Sequence, residues 1–209
     1  MKKYLQAFYD SILRQHLPKK VKVYNGVALN IGRLLDTTVI APSYKQGTID
    51  PLREYCEHDD DVVVIGGGLG VSAVVAAHSG ESVTVFEGGI DPAQLVRETA
   101  RLNRVEEVVE VREAIVADGY DVYGENITDE NIPPDELPEC DVLEMDCEGA
   151  EMSILEKMEI SPRVIIVESH PSFDAPPEKI RSLLIERGYE IVNRFQLDSG
   201  NVTFTGMRR

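Results

Sequence analysis

The stretch "DVVVIGGGLGVSAVVAA", residues 61–77, decides the fold class. It begins with an apolar run of the kind that a strand buried on both faces requires. It then enters a turn that contains Gly66, Gly67, Gly68 and Gly70. Glycines there let the backbone turn sharply and approach a ligand, and the next helix offers free N–H groups at its N-terminus. The stretch therefore predicts a strand, a ligand-binding turn and a helix.

Beyond this stretch, strands and helices alternate along the chain. The apolar runs "SVTVFEGG", "VVEVREAIVAD", "CDVLEMD" and "PRVIIVESH" are separated by segments with helical spacing. Such alternation is typical of an α/β domain, a mainly parallel sheet with helices on both faces. The final segment "YEIVNRFQLDSGNVTFTGMRR" predicts two strands with a tight connection, which makes that last pair antiparallel.

The first 57 residues predict an N-terminal extension made of a helix and a short hairpin, with the main domain spanning residues 58–209. "KKYLQAFYDSILRQHL" has the apolar spacing of an amphipathic helix with basic flanks. Such a helix either docks on the domain or makes peripheral contact with an anionic membrane or a partner. The Asn25-Gly26 pair that follows predicts the hairpin turn.

Composition restricts the partners and the compartment. The 209 residues carry a net charge of -16, so we expect no nucleic-acid partner. The acidity is also typical of a halophilic protein, in which salt screens self-repulsion. The three cysteines form no C-x-x-C pair, which favours a reducing, cytoplasmic setting. The longest uncharged run has 16 residues and is too short for a membrane span.

The glycine-rich turn is compatible with two classes of cofactor. Glu87 lies at the tip of the next strand, 17 residues after Gly70, where a carboxylate can accept the hydroxyls of a ribose. Residues 68–73 match G-x-G-x-x-G/A, which favours NAD or FAD, whereas residues 66–70 match G-x-G-x-G, which suits S-adenosylmethionine. The late start of the motif and the closing antiparallel pair favour the second class.

A second stretch, "CDVLEMDCEGAE" at residues 140–151, resembles the FkbM family of S-adenosylmethionine-dependent methyltransferases. The resemblance extends through "VIGGGLG", "VTVFE", "LNRV", "VEVREAIVAD" and "VIIVESH". It implies a Rossmann-like class I methyltransferase sandwich, with a mainly parallel seven-stranded sheet and an antiparallel last strand. It also implies O-methylation of hydroxyls or carboxyls, often those of sugars or glycans. The positions that match the family pattern are Asp141, Leu143, Asp146, Glu148, Gly149, Ala150 and Glu151.

The resemblance assigns site residues to this sequence. The implied cofactor-binding residues are Gly66, Gly68, Gly70, Glu87, Glu113, Ala114 and Asp146. The glycines would line the methionine end, Glu87 would hold the ribose, and the pair at 113–114 would lie near the adenine. Two positions depart from the family: Val64 replaces a usual acid, and Glu144 replaces a usual lysine. Glu144 is an odd residue for a central strand, so it either lies near the substrate or is held by a partner.

The candidate catalytic residues are His170, Asp146 and Glu148. Methyl transfer to a hydroxyl needs alignment and a base, and His170 is the best base by residue type, with Asp146 second. Glu168 and His170 alternate by two, so we expect both to point to one face. We predict no metal; the alternative is that Asp146, Glu168 and His170 hold a divalent ion.

The sequence therefore predicts an S-adenosylmethionine-dependent O-methyltransferase for a small polar acceptor, with a sugar or glycan as the favoured class. Two alternatives stay open. The first is a Rossmann oxidoreductase that uses NAD or FAD. The second is a non-catalytic S-adenosylmethionine-binding module, which the departures at Val64 and Glu144 motivate.

Overall fold

In a computed structural model of the protein, the described residues are 9, 14–36, 39–117, 127–197 and 199–208. The predicted N-terminal helix lies mostly outside them, and so does any membrane contact through it. No helix within these ranges is long and apolar enough to cross a bilayer.

The secondary structure follows the predicted alternation of strands and helices. The strands are β1 Lys19–Tyr24, β2 Val27–Arg33, β3 Ile40–Ala41, β4 Asp61–Ile65, β5 Ser82–Phe86, β6 Val109–Arg112, β7 Ile115–Val116, β8 Asn131–Ile132, β9 Val142–Met145, β10 Val164–Glu168, β11 Glu190–Gln196 and β12 Val202–Met207. The helices are α1 Gln46–Tyr55, α2 Val71–Ala77, α3 Ile90–Leu102, α4 Glu151–Lys157 and α5 Pro177–Glu186.

Seven strands form the central sheet in the order β11-β12-β10-β9-β4-β5-β6. The neighbours from β10 to β6 are parallel, whereas β12 runs antiparallel to both β10 and β11. The predicted fold class is therefore confirmed. Because β4, β9 and β10 are adjacent and parallel, their carboxyl ends meet at one edge of the sheet.

Helices cover both faces of the sheet. Side chains of α1, α2 and α3 pack with alternate strand residues such as Val64, Val85 and Ile166. The intervening residues, such as Ile65 and Met145, pack against α4 and α5 on the other face. Both faces of the central strands are thus buried, which is why these strands are continuous apolar runs in the sequence.

The N-terminal segment contains the predicted hairpin. β1 pairs antiparallel with β2 across Asn25 and Gly26, and β3 adds to β1 in parallel. Asn103, just after α3, donates to the carbonyl of Ala28 on β2 and accepts its N–H. The hairpin therefore packs on the main sandwich, while the domain boundary between residues 57 and 58 stays a prediction.

Candidate active site

The glycine-rich turn lies at the carboxyl edge of β4. Gly66, Gly68 and Gly70 all have positive φ, at 92°, 52° and 77°. A Cβ on Gly66 would lie 2.0 Å from the carbonyl oxygen of Asp146, so only glycine fits between these two strand ends. A Cβ on Gly68 would meet nothing within 4 Å. The turn is therefore packed tightly against the end of β9 at Gly66 and has open space at Gly68, as a ligand-binding turn must have.

Glu87 directly follows β5, and its side chain contacts the glycine-rich turn. Its two carboxylate oxygens accept the backbone N–H groups of Gly68 and Gly89, each at 2.9 Å. Each oxygen keeps a further lone pair, so the carboxylate can still accept hydroxyl groups. The open turn with an acid beside it fits the S-adenosylmethionine that the sequence predicts.

The two residues assigned to the adenine lie at the exit of β6. The carboxylate of Glu113 forms an ion pair with Arg97 of α3. Ala114 is buried with the second core cluster, so its methyl group packs in the core. Both residues thus lie near the carboxyl end of the sheet, but the carboxylate of Glu113 is already paired with Arg97.

Asp146, Glu168 and His170 come together at the ends of β9 and β10. The parallel register pairs Met145 with Val167. The residues that follow them, Asp146 and Glu168, therefore lie side by side at the carboxyl ends of the two strands. His170 Nε2 lies 3.2 Å from Asp146 Oδ1 and 3.7 Å from Glu168 Oε1. The expected shared face of Glu168 and His170 is therefore observed, although β10 ends at Glu168.

Each member of this cluster also bonds to a residue outside it. Glu151 Oε1 lies 2.7 Å from His170 Nδ1, and Asn201 Nδ2 donates to Glu168 Oε1 at 2.9 Å. Lys45, at the start of α1, bonds to Asp146 Oδ2. These partners fix the orientation of the three side chains.

The pKa values of the cluster follow from its charges. Burial opposes a charged ring at His170, but hydrogen bonds with Asp146 and Glu151 outweigh it and raise the pKa to about 10. Burial likewise opposes ionisation of Asp146, yet His170 and Lys45 lower its pKa to about 2. At neutral pH the imidazolium and the Asp146 carboxylate thus share one hydrogen bond. The predicted role of His170 as a base requires the ring to lose its proton first.

Glu144 lies deeper on the same face of β9 as Asp146. Its side chain is 1% exposed, and its Oε2 has no hydrogen-bond partner among the described residues. Burial raises its pKa to about 8, while the nearby charge of Lys45 and a hydrogen bond with Ser72 act in the opposite direction. The charge of Lys45 and the hydroxyl of Ser72 therefore act on the carboxyl group whose partner the sequence left open.

Sequence reasoning did not single out Lys45, Glu151 or Asn201 as site residues. Lys45 and Asn201 arrive from distant segments, and no local pattern marks them. Glu151 belongs to the family segment, which was the available signal, and its carboxylate accepts the N–H groups of Cys147 and Gly149. Glu148, a predicted catalytic residue, is exposed in a left-handed turn with φ of 52°, outside the hydrogen-bonded cluster.

Residues 42–191 match the model of the methyltransferase FkbM domain, which is most of the chain. The chain belongs to the FkbM methyltransferase family. It is accordingly an S-adenosylmethionine-dependent methyltransferase, and the match favours the S-adenosylmethionine interpretation of the glycine turn over NAD or FAD. No curated protein matches the chain.

Solved structures agree on the fold. The ribosomal protein L11 methylase of Lactobacillus delbrueckii subsp. bulgaricus is 14% identical, with a TM-score of 0.58 over 80% of each chain. TYW2 of Pyrococcus horikoshii, solved with MeSAdo, is 16% identical, with a TM-score of 0.58 over 90% of this chain and 70% of its own. The tRNA m1G37 methyltransferase of M. jannaschii is 12% identical, with a TM-score of 0.60 over 92% and 58%. Identities this low show the fold alone.

Proposed function

We propose that this FkbM methyltransferase transfers a methyl group to a hydroxyl of a small, uncharged polar acceptor, with a sugar or glycan as the favoured class. The observation that carries the proposal is the cluster of Asp146, Glu168 and His170 beside the open glycine turn. A hydroxyl must lose a proton as it takes a methyl group, so it needs such groups near the donor.

The acidity of the site supports a neutral acceptor. Three carboxyl groups, those of Asp146, Glu151 and Glu168, lie within hydrogen-bond or ion-pair distance of His170. Such a group of acids repels a carboxylate or a phosphate ester. It suits hydroxyl groups, which donate hydrogen bonds to carboxylates. We therefore favour methyl ethers over methyl esters as the product.

Different residues of the chain would bind the cofactor and take up the proton of the acceptor. Gly66, Gly68 and Gly70 would hold the methionine end of the cofactor, and Glu87 would hold its ribose. S-adenosylmethionine supplies an activated methyl group on a sulfonium sulfur, so the protein mostly aligns the acceptor. Asp146 and His170 share a hydrogen bond and would take up the hydroxyl proton as a coupled pair.

Nucleic acid is not the acceptor that we propose, although the similar structures include a tRNA m1G37 methyltransferase and a complex of aTrm5 with tRNALeu. The net charge of -16 opposes the approach of a polyanion. The chemistry of a neighbour at 12% identity does not transfer to this chain.

The test is a methyl-transfer assay that follows S-adenosylhomocysteine release with neutral sugars, sugar acids and tRNA as acceptors. We expect turnover with a neutral sugar class and a product that resists mild alkali, as a methyl ether does. Asp146→Asn and His170→Gln should each lower kcat by at least about a hundredfold. Asp59→Asn and His58→Gln, two exposed neighbours before β4, are the matched controls. Turnover confined to sugar acids or to tRNA would contradict the proposal.

A further inference from the structure

The geometry assigns a divalent cation site to Asp146 Oδ1, Glu168 Oε1 and His170 Nε2. One ligand atom from each of the three residues lies within 4.8 Å of the other two. His170 Nε2 is 3.2 Å from the aspartate oxygen and 3.7 Å from the glutamate oxygen. Neighbouring ligands of one octahedral ion stand about 3 Å apart when each bond is about 2.1 Å long. Small side-chain movements and release of the Nε2 proton would therefore close the site on an ion.

Residues outside the cluster orient these three atoms so that they can act as metal ligands. Glu151 faces Nδ1 of His170, which turns Nε2 toward the two carboxylates. A carboxylate behind a metal-binding histidine is the usual arrangement, since it fixes the tautomer and the ring. Lys45 bonds to the other oxygen of Asp146 and leaves Oδ1 facing the ring. Asn201 donates to Glu168 Oε1, so all three ligands have an orienting partner.

Glu144, next to the cluster, gives a second and independent indication that a ligand belongs at this face. It alternates with Asp146 on β9, so its side chain lies on the same face, one step below the cluster. The residue is 1% exposed, and Oε2 has no hydrogen-bond partner among the described residues. A buried carboxylate without a partner is costly unless a positive charge is near. The charge of Lys45 already acts on Glu144, and a divalent ion at the cluster would stabilise its ionised form further.

The donor set indicates the kind of ion. One imidazole nitrogen and two carboxylate oxygens suit a divalent transition metal such as Mn²⁺, because imidazole binds Mg²⁺ and Ca²⁺ less readily than it binds transition metals. Three protein ligands leave up to three positions of an octahedral ion open. Oxygen atoms of an acceptor can take these positions. The site would thus select polyols with two neighbouring oxygens, an extension that rests on the proposed function above.

The test is titration of EDTA-treated protein with MnCl₂ alone, followed by electron paramagnetic resonance. About 0.2 M salt is included because an acidic surface attracts cations non-specifically. We expect one Mn²⁺ per chain and a coupling to a nitrogen nucleus from His170 in the spin-echo spectrum. His170→Gln and Glu168→Gln should weaken binding by at least tenfold, and Glu151→Gln by about 10- to 100-fold, since it only positions the ring.

His58→Gln and Asp59→Asn are the matched controls, since both side chains are exposed at the opposite edge of the sheet. The shift in Tm with S-adenosylhomocysteine reports whether each variant is folded. No stoichiometric Mn²⁺, a complex without nitrogen coupling, or equal losses in the controls would overturn the site. Because binding is measured without acceptor, it can hold even if neutral sugars prove not to be methylated. Conversely, sugar methylation by a protein that binds no stoichiometric Mn²⁺ would leave the proposed function and remove the cation site.

Discussion

Lys45 bonds to the carboxylate of Asp146 from a position 101 residues earlier in the chain. The lysine stands at the start of α1 in a left-handed conformation, with φ of 46°, and its side chain is 25% exposed. Its charge also acts on the buried Glu144, so one cation serves two carboxyl groups. In this chain the lysine that the family places on β9 is absent, and the positive charge reaches the same face from α1.

Replacing Lys45 with methionine should therefore destabilise the fold. The change removes the cation that Glu144 and Asp146 share and leaves Asp146 with His170 alone, while it keeps the approximate length of the side chain. Breaking a buried pair costs about 3–5 kcal/mol, and partial exposure reduces this to roughly 1–3 kcal/mol. Urea unfolding at pH 7 measures the loss.

The double variant Lys45→Met with Glu144→Gln separates the two carboxyl groups. At pH 9, where the carboxyl group of Glu144 tends to ionise, its replacement by Gln should restore about 1 kcal/mol or more of the lost free energy of unfolding. Lys179→Met, at an exposed position of α5, is the control and should change stability by less than about 0.5 kcal/mol. A strictly additive double variant would show that Lys45 and Glu144 do not interact.

The cofactor turn gives a prediction that separates binding from folding. Gly68 and Gly26 share two properties: positive φ, at 52° and 85°, and open space where a Cβ would stand. Alanine at either position should cost about 1–2 kcal/mol of stability, because both force the left-handed conformation on an L residue. Only Gly68→Ala also places a methyl group over the turn. Calorimetry should therefore show at least tenfold weaker S-adenosylhomocysteine binding for Gly68→Ala alone, and equal affinities would contradict the assigned cofactor turn.

Much of the fold was predictable because its determinants are local. A strand covered on both faces needs an uninterrupted apolar run, and "DVVVI" and "VIIVE" both show it. Tight connections are also visible locally, as Gly200 is between β11 and β12. The family segment likewise pointed to Asp146. Such features need only a short window of sequence.

The electrostatic partners of the site were not predictable in this way. Lys45, Asn201 and the acids that they contact meet only once the sheet is assembled, and a lysine in a polar segment has no distinctive local pattern. The protonation state of His170 also depends on residues that a short window of sequence does not show. Its ordinary pKa suggests a base, and hydrogen bonds with Asp146 and Glu151 reverse that tendency. Of these two residues, the sequence grouped only Asp146 with it.

The turn after β2 should control the pH dependence of the N-terminal hairpin. Asp36 accepts hydrogen bonds from Arg14, Tyr9 and the backbone N–H of Arg33, and it forms an ion pair with Lys22. The Arg14 hydrogen bond is the main cause of a pKa well below the usual range, with burial acting in the opposite direction. The folded state thus binds this proton less tightly than the unfolded chain does.

Asp36→Asn should accordingly lower the free energy of unfolding by roughly 2 kcal/mol at pH 7, the cost of losing charged hydrogen bonds. A carboxyl group with a lowered pKa stabilises the fold fully above its unfolded value, near pH 4, and loses this effect as pH falls through its folded value. The difference in free energy of unfolding between the parent protein and Asp36→Asn should therefore become steadily smaller below about pH 4. Urea unfolding at pH 7, 5, 4 and 3 measures it, with the exposed Glu107→Gln as control. A difference that stays constant from pH 7 to pH 3 would show that Asp36 acts through packing and not through its charge.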